Sequence, residues 1–147
     1  KPTAGCVAIK KNHFPTIIGD IGSAINYDVI NKNGAFIGGS ILPGPETAAK
    51  NLFQKAALLK ETAFVIPNSP IGKNTKTNLQ SGIMFGAIDV IDGMFTRLEI
   101  ELDVKNVNKI ITGGFGELIS PHLKTKHKIM PYLTLDGIRT IYNNQIS

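Results

Sequence analysis

Apolar positions along this chain change period, and the changes lay out its elements. Thr16-Ile17-Ile18-Gly19 is a short apolar run ending at Asp20, and it reads as a buried strand. Ala24 to Ile30 and Ala35 to Ile41 read as two further strands. The Asn31-Lys32-Asn33-Gly34 segment between them supplies an Asn-Gly pair, whose residues tolerate the positive φ of a tight hairpin. Pro43-Gly44-Pro45 ends this unit. Pro45 lacks an N–H that a first helical turn would leave unpaired anyway, so a helix is predicted over 46–57. Residues 62–74, rich in Pro and Asn, read as a loop with short extended pieces.

From Thr75 the pattern becomes helical: Leu79, Ile83, Ala87, Val90, Ile91, Met94 and Leu98 recur mostly at steps of three and four. Val107 to Ile111 is predicted as a strand ending in Thr112-Gly113-Gly114, with a helix beginning over 115–120. Leu135 to Tyr142 reads as a last amphipathic helix. At the other end Ala4, Val7 and Ala8 share one side of a short helix over 4–12. Strands and helices alternate after the hairpin, so the class is α/β with a mixed sheet.

A chain of 147 residues is one domain by size and can bury its own core. With 42% apolar and 18% charged residues it is not of the disordered type. No stretch approaches the roughly 20 apolar residues needed to span a bilayer, and the start lacks the apolar core of a secretory leader. A single cysteine, Cys6, excludes an internal disulfide and a Cys-based zinc site, and a reducing, cytoplasmic setting is the default expectation. Cys6 precedes Val7 and Ala8, which marks a buried structural thiol rather than a nucleophile.

The net charge of +5 raises nucleic acid as a partner. Much of the charge sits in Lys105, Lys109 and the run His122, Lys124, Lys126, His127, Lys128. That run has no interleaved aromatics and no DNA- or RNA-binding motif, so a solvated loop is the favoured reading. His13, His122 and His127 show no ligand-like or triad-like spacing and are assigned no role.

Chemistry concentrates at Asp20-Ile21-Gly22-Ser23-Ala24. A carboxylate at a strand end can hold a cation, a following glycine lets backbone N–H groups approach phosphate oxygens, and Ser23 adds a hydroxyl. The alternative is that Asp20 only caps the turn. Thr112-Gly113-Gly114 follows a strand and precedes a helix, where amide dipoles favour anions. A plain strand-to-helix turn is its alternative. Thr75 is a sensible N-cap for the long helix. Gly82 and Gly86 lie one turn apart inside that helix at a cost of about 1 kcal/mol each, for which close helix contact would compensate, within the chain or between chains.

A glycine loop between the first two strands of a hairpin-containing sheet resembles that of actin-like ATPases. The ordered set is more specific. Asp20-Ile-Gly-Ser-Ala, Gly38-Gly39-Ser-Ile-Leu-Pro43-Gly44, Ile71-Gly72-Lys-Asn74-Thr75, Gln80-Ser81-Gly82, Asp92-Gly93, Thr112-Gly113-Gly114 and Leu133-Thr134-Leu135-Asp136-Gly137 together resemble the type III pantothenate kinases from end to end. The resemblance implies one actin-like (ribonuclease H-like) domain over 1–147, the C-terminal half of that family, with a mixed sheet opened by a β-hairpin and flanked by helices. It implies transfer of a phosphoryl group from ATP to pantothenate, the first step of coenzyme A synthesis, with Mg²⁺ and a monovalent cation, K⁺ or NH₄⁺. It places the monovalent cation on Asp20, ATP at Gly22, Ser23, Gly113 and Gly114, and pantothenate at Thr75. It also implies a homodimer with helices in its interface.

Two departures stand against it. The family's first phosphate loop, of Asp-x-Gly-Asn-Thr type, does not occur in this sequence. The family's Gly-x-Asp-Arg segment aligns with Lys1-Pro2, and a lysine cannot be the ionised carboxylate that accepts a hydroxyl proton. No catalytic base is therefore assigned. The expectation is that base and first loop come from an N-terminal half, on a companion chain or a removed segment. The alternative is a non-catalytic nucleotide-binding or regulatory subunit of the same fold, since some family members carry a transcriptional-accessory label. Ser23 and Asn26, each where the family has threonine, are softer changes.

Overall fold

The computed structural model describes residues 14–55 and 62–146. The predicted helix over 4–12, together with Lys1, Cys6 and His13, lies outside them. Three strands open the chain: β1 (Thr16–Ile21), β2 (Ala24–Ile30) and β3 (Phe36–Pro43). Two helices follow, α1 (Pro45–Lys55) and α2 (Thr75–Leu102), then β4 (Asn108–Thr112), the short α3 (Gly116–Ile119), a 3₁₀ turn at Ser120–His122, β5 (Lys128–Ile129) and α4 (Leu133–Ile146).

The sheet order is β3-β2-β1-β4-β5. The first three strands form an antiparallel meander, while β4 runs parallel to β1 and β5 parallel to β4. A parallel partner for β1 requires a long crossover, and α1, the 62–74 loop and α2 supply it. This mixed sheet, opened by a hairpin and flanked by helices, is the expected α/β arrangement.

Alternation along β1 splits the core. Ile17 and Ile21, with Ile25, Tyr27 and Val29 of β2, face α2 and pack against its Ile88, Ile91 and Phe95. Tyr27 and Phe95 meet edge to face at 5.3 Å, and the Tyr27 hydroxyl donates to the Ile91 carbonyl at 3.4 Å. On the opposite face Ile18, Ile30 and Ile110 form a smaller cluster closed by Leu133 at the start of α4. Each such buried side chain contributes about 1.5–3 kcal/mol relative to exposure, so both faces help hold β1 between β2 and β4.

The structure adjusts several expected boundaries. Ala35 stays in the hairpin turn, where its N–H donates to Asn31 Oδ1, so β3 begins at Phe36 beyond an irregularity at Val29/Ile30. Asn74, not Thr75, caps α2. Its side chain accepts from the Thr77 N–H at 3.0 Å while Thr77 Oγ1 accepts from the Asn74 N–H at 3.1 Å, a reciprocal capping box. The helix runs on to Leu102 and stops where Asp103 turns left-handed. Its buried line is Ser81, Met84, Ile88, Ile91 and Phe95, so the predicted Leu79, Ile83 and Val90 face another way. The run His122 to Lys128, read as a solvated basic loop, leads from the end of the 3₁₀ turn into β5. His127, assigned no role, bridges it: Nε2 lies 2.6 Å from Ser120 Oγ and Nδ1 lies 2.6 Å from the Thr125 carbonyl.

Candidate functional site

Parallel pairing of β1 with β4 sets Asp20 directly beside Thr112, so both glycine turns emerge at the same sheet end. The second turn is fastened to the first strand: the Phe115 N–H donates to the Ile21 carbonyl at 2.9 Å, and the Gly116 N–H to the Gly113 carbonyl at 2.9 Å. Gly113 takes φ +92°, a conformation that favours glycine, and lies against the Asp20 carboxylate. Asp20, Gly22, Ser23, Gly113 and Gly114 therefore share one end of the fold.

The first turn uses its own polar groups unevenly. The Gly22 N–H is occupied by the Ala24 carbonyl at 2.9 Å, so the amide expected to meet phosphate is already bonded. Among the described residues, no turn hydrogen bond uses the N–H of Ser23, Gly113 or Gly114. The Ser23 carbonyl accepts from the Gly44 N–H at 2.9 Å and from Thr47 Oγ1 at 2.6 Å, which ties the turn to the start of α1. Gly44 is required there, because a Cβ would overlap the Gly22 carbonyl. The helix after Gly113-Gly114 has only four residues, so individual amides rather than a long-helix dipole supply the positive potential.

Beyond the turns, Asp20 opens on a cavity of about 360 Å³ lined also by Ile18, Asn26, Asp28, Ile41 and Thr134. Thr134, 114 residues further along the chain, donates its hydroxyl to Asp20 Oδ2 at 3.2 Å. Asp28 lies on the same sheet face, since β2 pairs Asn26 with Asp20 and Asp28 with Ile18. Burial first, and then the Asp20 charge, raise the Asp28 carboxyl above the usual carboxylate range. Sequence reasoning did not single out Asp28, and it quoted Thr134 only inside the Leu133-Thr134-Leu135-Asp136-Gly137 motif, without a role. The polar–apolar alternation of Ile25-Asn26-Tyr27-Asp28-Val29 carried the signal for the first, and that motif carried one for the second.

Donor chemistry here is hard oxygen: carboxylates of Asp20 and Asp28, the Asn26 amide and the Thr134 hydroxyl. That set fits K⁺, NH₄⁺ or Mg²⁺ better than a soft metal. Among the described residues no three His, Cys, Asp or Glu side chains gather to hold a metal alone. A cation at this place would complete its shell with water or phosphate oxygen.

Thr75 is not brought to Asp20. It lies at the start of α2 and lines a separate, largely apolar groove of about 640 Å³ with Ile25, Leu42, Asn78, Gly82 and Gly86. Ile25 pairs with Leu42, and Asn26 with Ile41, so the two cavities lie on opposite faces of the β2–β3 ribbon. Close helix contact does not explain the glycines among the described residues, because a Cβ at Gly82 or Gly86 would meet nothing within 4 Å. They widen the groove.

Asp92, part of the Asp92-Gly93 pair, acts elsewhere. Its carboxylate accepts the N–H groups of Lys124 and Thr125, each at 2.9 Å, and so anchors the segment leading to β5. Burial alone would raise its carboxyl. The backbone donors and the Lys124 charge outweigh that and hold it below the ordinary value.

Sheet order and paired glycine turns define the class: an α/β domain with a mixed five-stranded sheet and a carboxylate at the framed strand end. The family model for type III pantothenate kinases matches residues 3–97. The type III pantothenate kinase of Geotalea daltonii is 38% identical over 133 residues, covering 90% of this chain and 52% of that protein. That of Moorella thermoacetica is 39% identical over 128 residues, covering 87% and 50%. A solved structure described as a Baf family transcriptional activator from Campylobacter jejuni aligns with a TM-score of 0.61 at 21% identity, covering 97% of this chain and 62% of that one, a likeness of fold. The chain belongs to the type III pantothenate kinase family. It spans about half the length of the curated relatives that it matches.

Proposed function

We propose that this chain supplies one wall of an ATP-dependent pantothenate kinase site. The observation that carries the reading is the convergence of both glycine turns on Asp20, with no turn hydrogen bond among the described residues using the Ser23, Gly113 or Gly114 N–H at that end. ATP phosphates would lie against those amides and the Ser23 hydroxyl. Asp20 would hold a monovalent cation, while Mg²⁺ would travel with the nucleotide. The cations supply charge neutralisation for the transferred phosphoryl group, and the chain's own part is to orient phosphate oxygens.

Thr75 would contact pantothenate. Because it opens on the other face of the ribbon from Asp20, one acceptor would meet both only across a contact between chains. That accords with the homodimer implied by the family, for which the groove at Gly82 and Gly86 is the natural seat. The opposite wall of the cleft, with the first phosphate loop and the base, would come from the half of the family's length that this sequence does not cover. Among the described residues no helix is long and apolar enough to cross a membrane.

A coupled assay of ATP-dependent pantothenate phosphorylation tests this. The chain alone, the chain mixed with a family N-terminal half, and that mixture carrying Asp20→Asn are compared. Activity in the mixture alone, lost with Asp20→Asn, is expected. An inactive mixture whose chain still binds ATP would instead favour the second reading, a nucleotide-binding regulatory subunit.

A further inference from the structure

We propose that Thr134 is a positioning residue for the Asp20 carboxylate, a role that rests on Asp20 being a cation ligand. A carboxylate rotates easily about its terminal torsion, so an isolated Asp20 would present its oxygens in a range of orientations. Here both oxygens are located. Oδ2 accepts the Thr134 hydroxyl at 3.2 Å, and Oδ1 lies beside the Gly113 turn, 2.5 Å from where a Cβ on residue 113 would stand. Hydrogen bonds to ionised acceptors are the stronger kind, and a β-branched donor has few rotamers to lose in making one.

The placement of Thr134 is itself built in. Leu133, the preceding residue, is 1% exposed and closes the cluster of Ile18, Ile30 and Ile110. Just before it, the Met130 N–H donates to the Ile111 carbonyl at 2.8 Å, and Thr112 Oγ1 donates to the Pro131 carbonyl at 3.3 Å. The start of α4 is thus fastened to β4 from the β5 side, and from there Thr134 reaches over β4 to set its hydroxyl on Asp20 of β1. Asp28 on the same face gives the contact a second purpose. A hydroxyl dipole directed at Asp20 offsets repulsion between the two carboxylates, while the hydroxyl lone pairs stay available to the cavity.

Thallium(I), a spectroscopic stand-in for K⁺, provides the test by ²⁰⁵Tl NMR titration of the full chain and of Thr134→Val, Thr134→Ser and Asp20→Asn. Asp20→Asn should abolish binding. Thr134→Val should weaken it about tenfold, the order expected for losing a hydrogen bond to a charged group. Thr134→Ser, which keeps the donor, should retain wild-type affinity. Circular dichroism melts report whether each variant folds. Should Thr134→Val unfold, Thr134→Ser decides: loss of thallium binding with fold and hydroxyl intact overturns the assignment. Wild-type binding by Thr134→Val alongside none by Asp20→Asn overturns the role of Thr134 and leaves the cation reading standing. Undiminished binding by Asp20→Asn removes both.

Discussion

Residue 113 and Asp20 are in contact closely enough that only glycine fits: a Cβ at 113 would stand 2.5 Å from Asp20 Oδ1 and 2.5 Å from the Ile21 carbonyl oxygen. The positive φ of Gly113 adds backbone strain for any other residue. Gly113→Ala should therefore displace the carboxylate and destabilise the fold by about 1–3 kcal/mol, read from the urea midpoint. Gly114→Ala is the control, since a Cβ there meets nothing within 4 Å. Nucleotide affinity should fall in the first variant. Equal loss of stability in both would show that the contact with Asp20 is irrelevant.

Asp92 should govern the acid limb of stability. Its carboxyl is held below the unfolded value by the Lys124 and Thr125 amides, so the folded state prefers the ionised form. The stabilisation is present in full above the unfolded value of about 4 and is lost as pH falls through the depressed folded value. Asp92→Asn should destabilise at pH 7 by about 1–2 kcal/mol, the scale of a charged hydrogen bond at a partly exposed site. The difference from wild type should shrink as the buffer is acidified toward pH 3. Thermal melts across pH 3–7 measure it, and a difference that does not change with pH would contradict the assignment.

Asp28 carries the opposite sign. Burial and the Asp20 charge raise its carboxyl, so folding disfavours the ionised form relative to the unfolded chain. Asp28→Asn should raise the melting temperature at pH 7, by less than about 1 kcal/mol of stability because the group is half exposed to screening. The gain should vanish as pH drops through the raised folded value toward the unfolded one. A lower melting temperature at pH 7 would show that Asp28 makes a favourable contact in solution.

Gly82 and Gly86 separate intrachain from interchain packing. With open space at both Cβ positions, Gly82→Ala and Gly86→Ala should each stabilise the isolated chain by about 0.5–1 kcal/mol through helix propensity. The same methyl groups enter the groove. If that groove seats a second copy, sedimentation should show weaker self-association in the double variant. Tighter association would contradict that seat.

Much of the fold was legible in the chain because its signals are local. The Asn-Gly turn, the apolar run ending at Asp20 and the proline stop at Pro43-Gly44-Pro45 each act through neighbouring residues, and all three are present, with β1 running on to Ile21 and β3 starting at Phe36. Other features misled for equally physical reasons. Asn74 outcompetes Thr75 as cap because Thr77 lies three residues beyond it and can reciprocate. The α2 periodicity named apolar residues on two faces without telling which would be buried, as the exposed Val90 shows. β5 has two residues and no strand pattern, and exists because β4 offers it an edge.

Sequence alone determined the class, the family and the two glycine turns, since ordered motifs and turn chemistry are written in consecutive residues. Tertiary structure decided the partnerships. Parallel pairing of β1 with β4 carried Gly113 and Thr134 to Asp20 from far along the chain, and the pleat set Asp28 on the same face. That same pleat sent Ile25 and Asn26 to opposite sides, and with them the cavities of Thr75 and Asp20. The physical reason is register: which residues meet across strands depends on the alignment of segments distant in the chain, and no local pattern encodes that alignment.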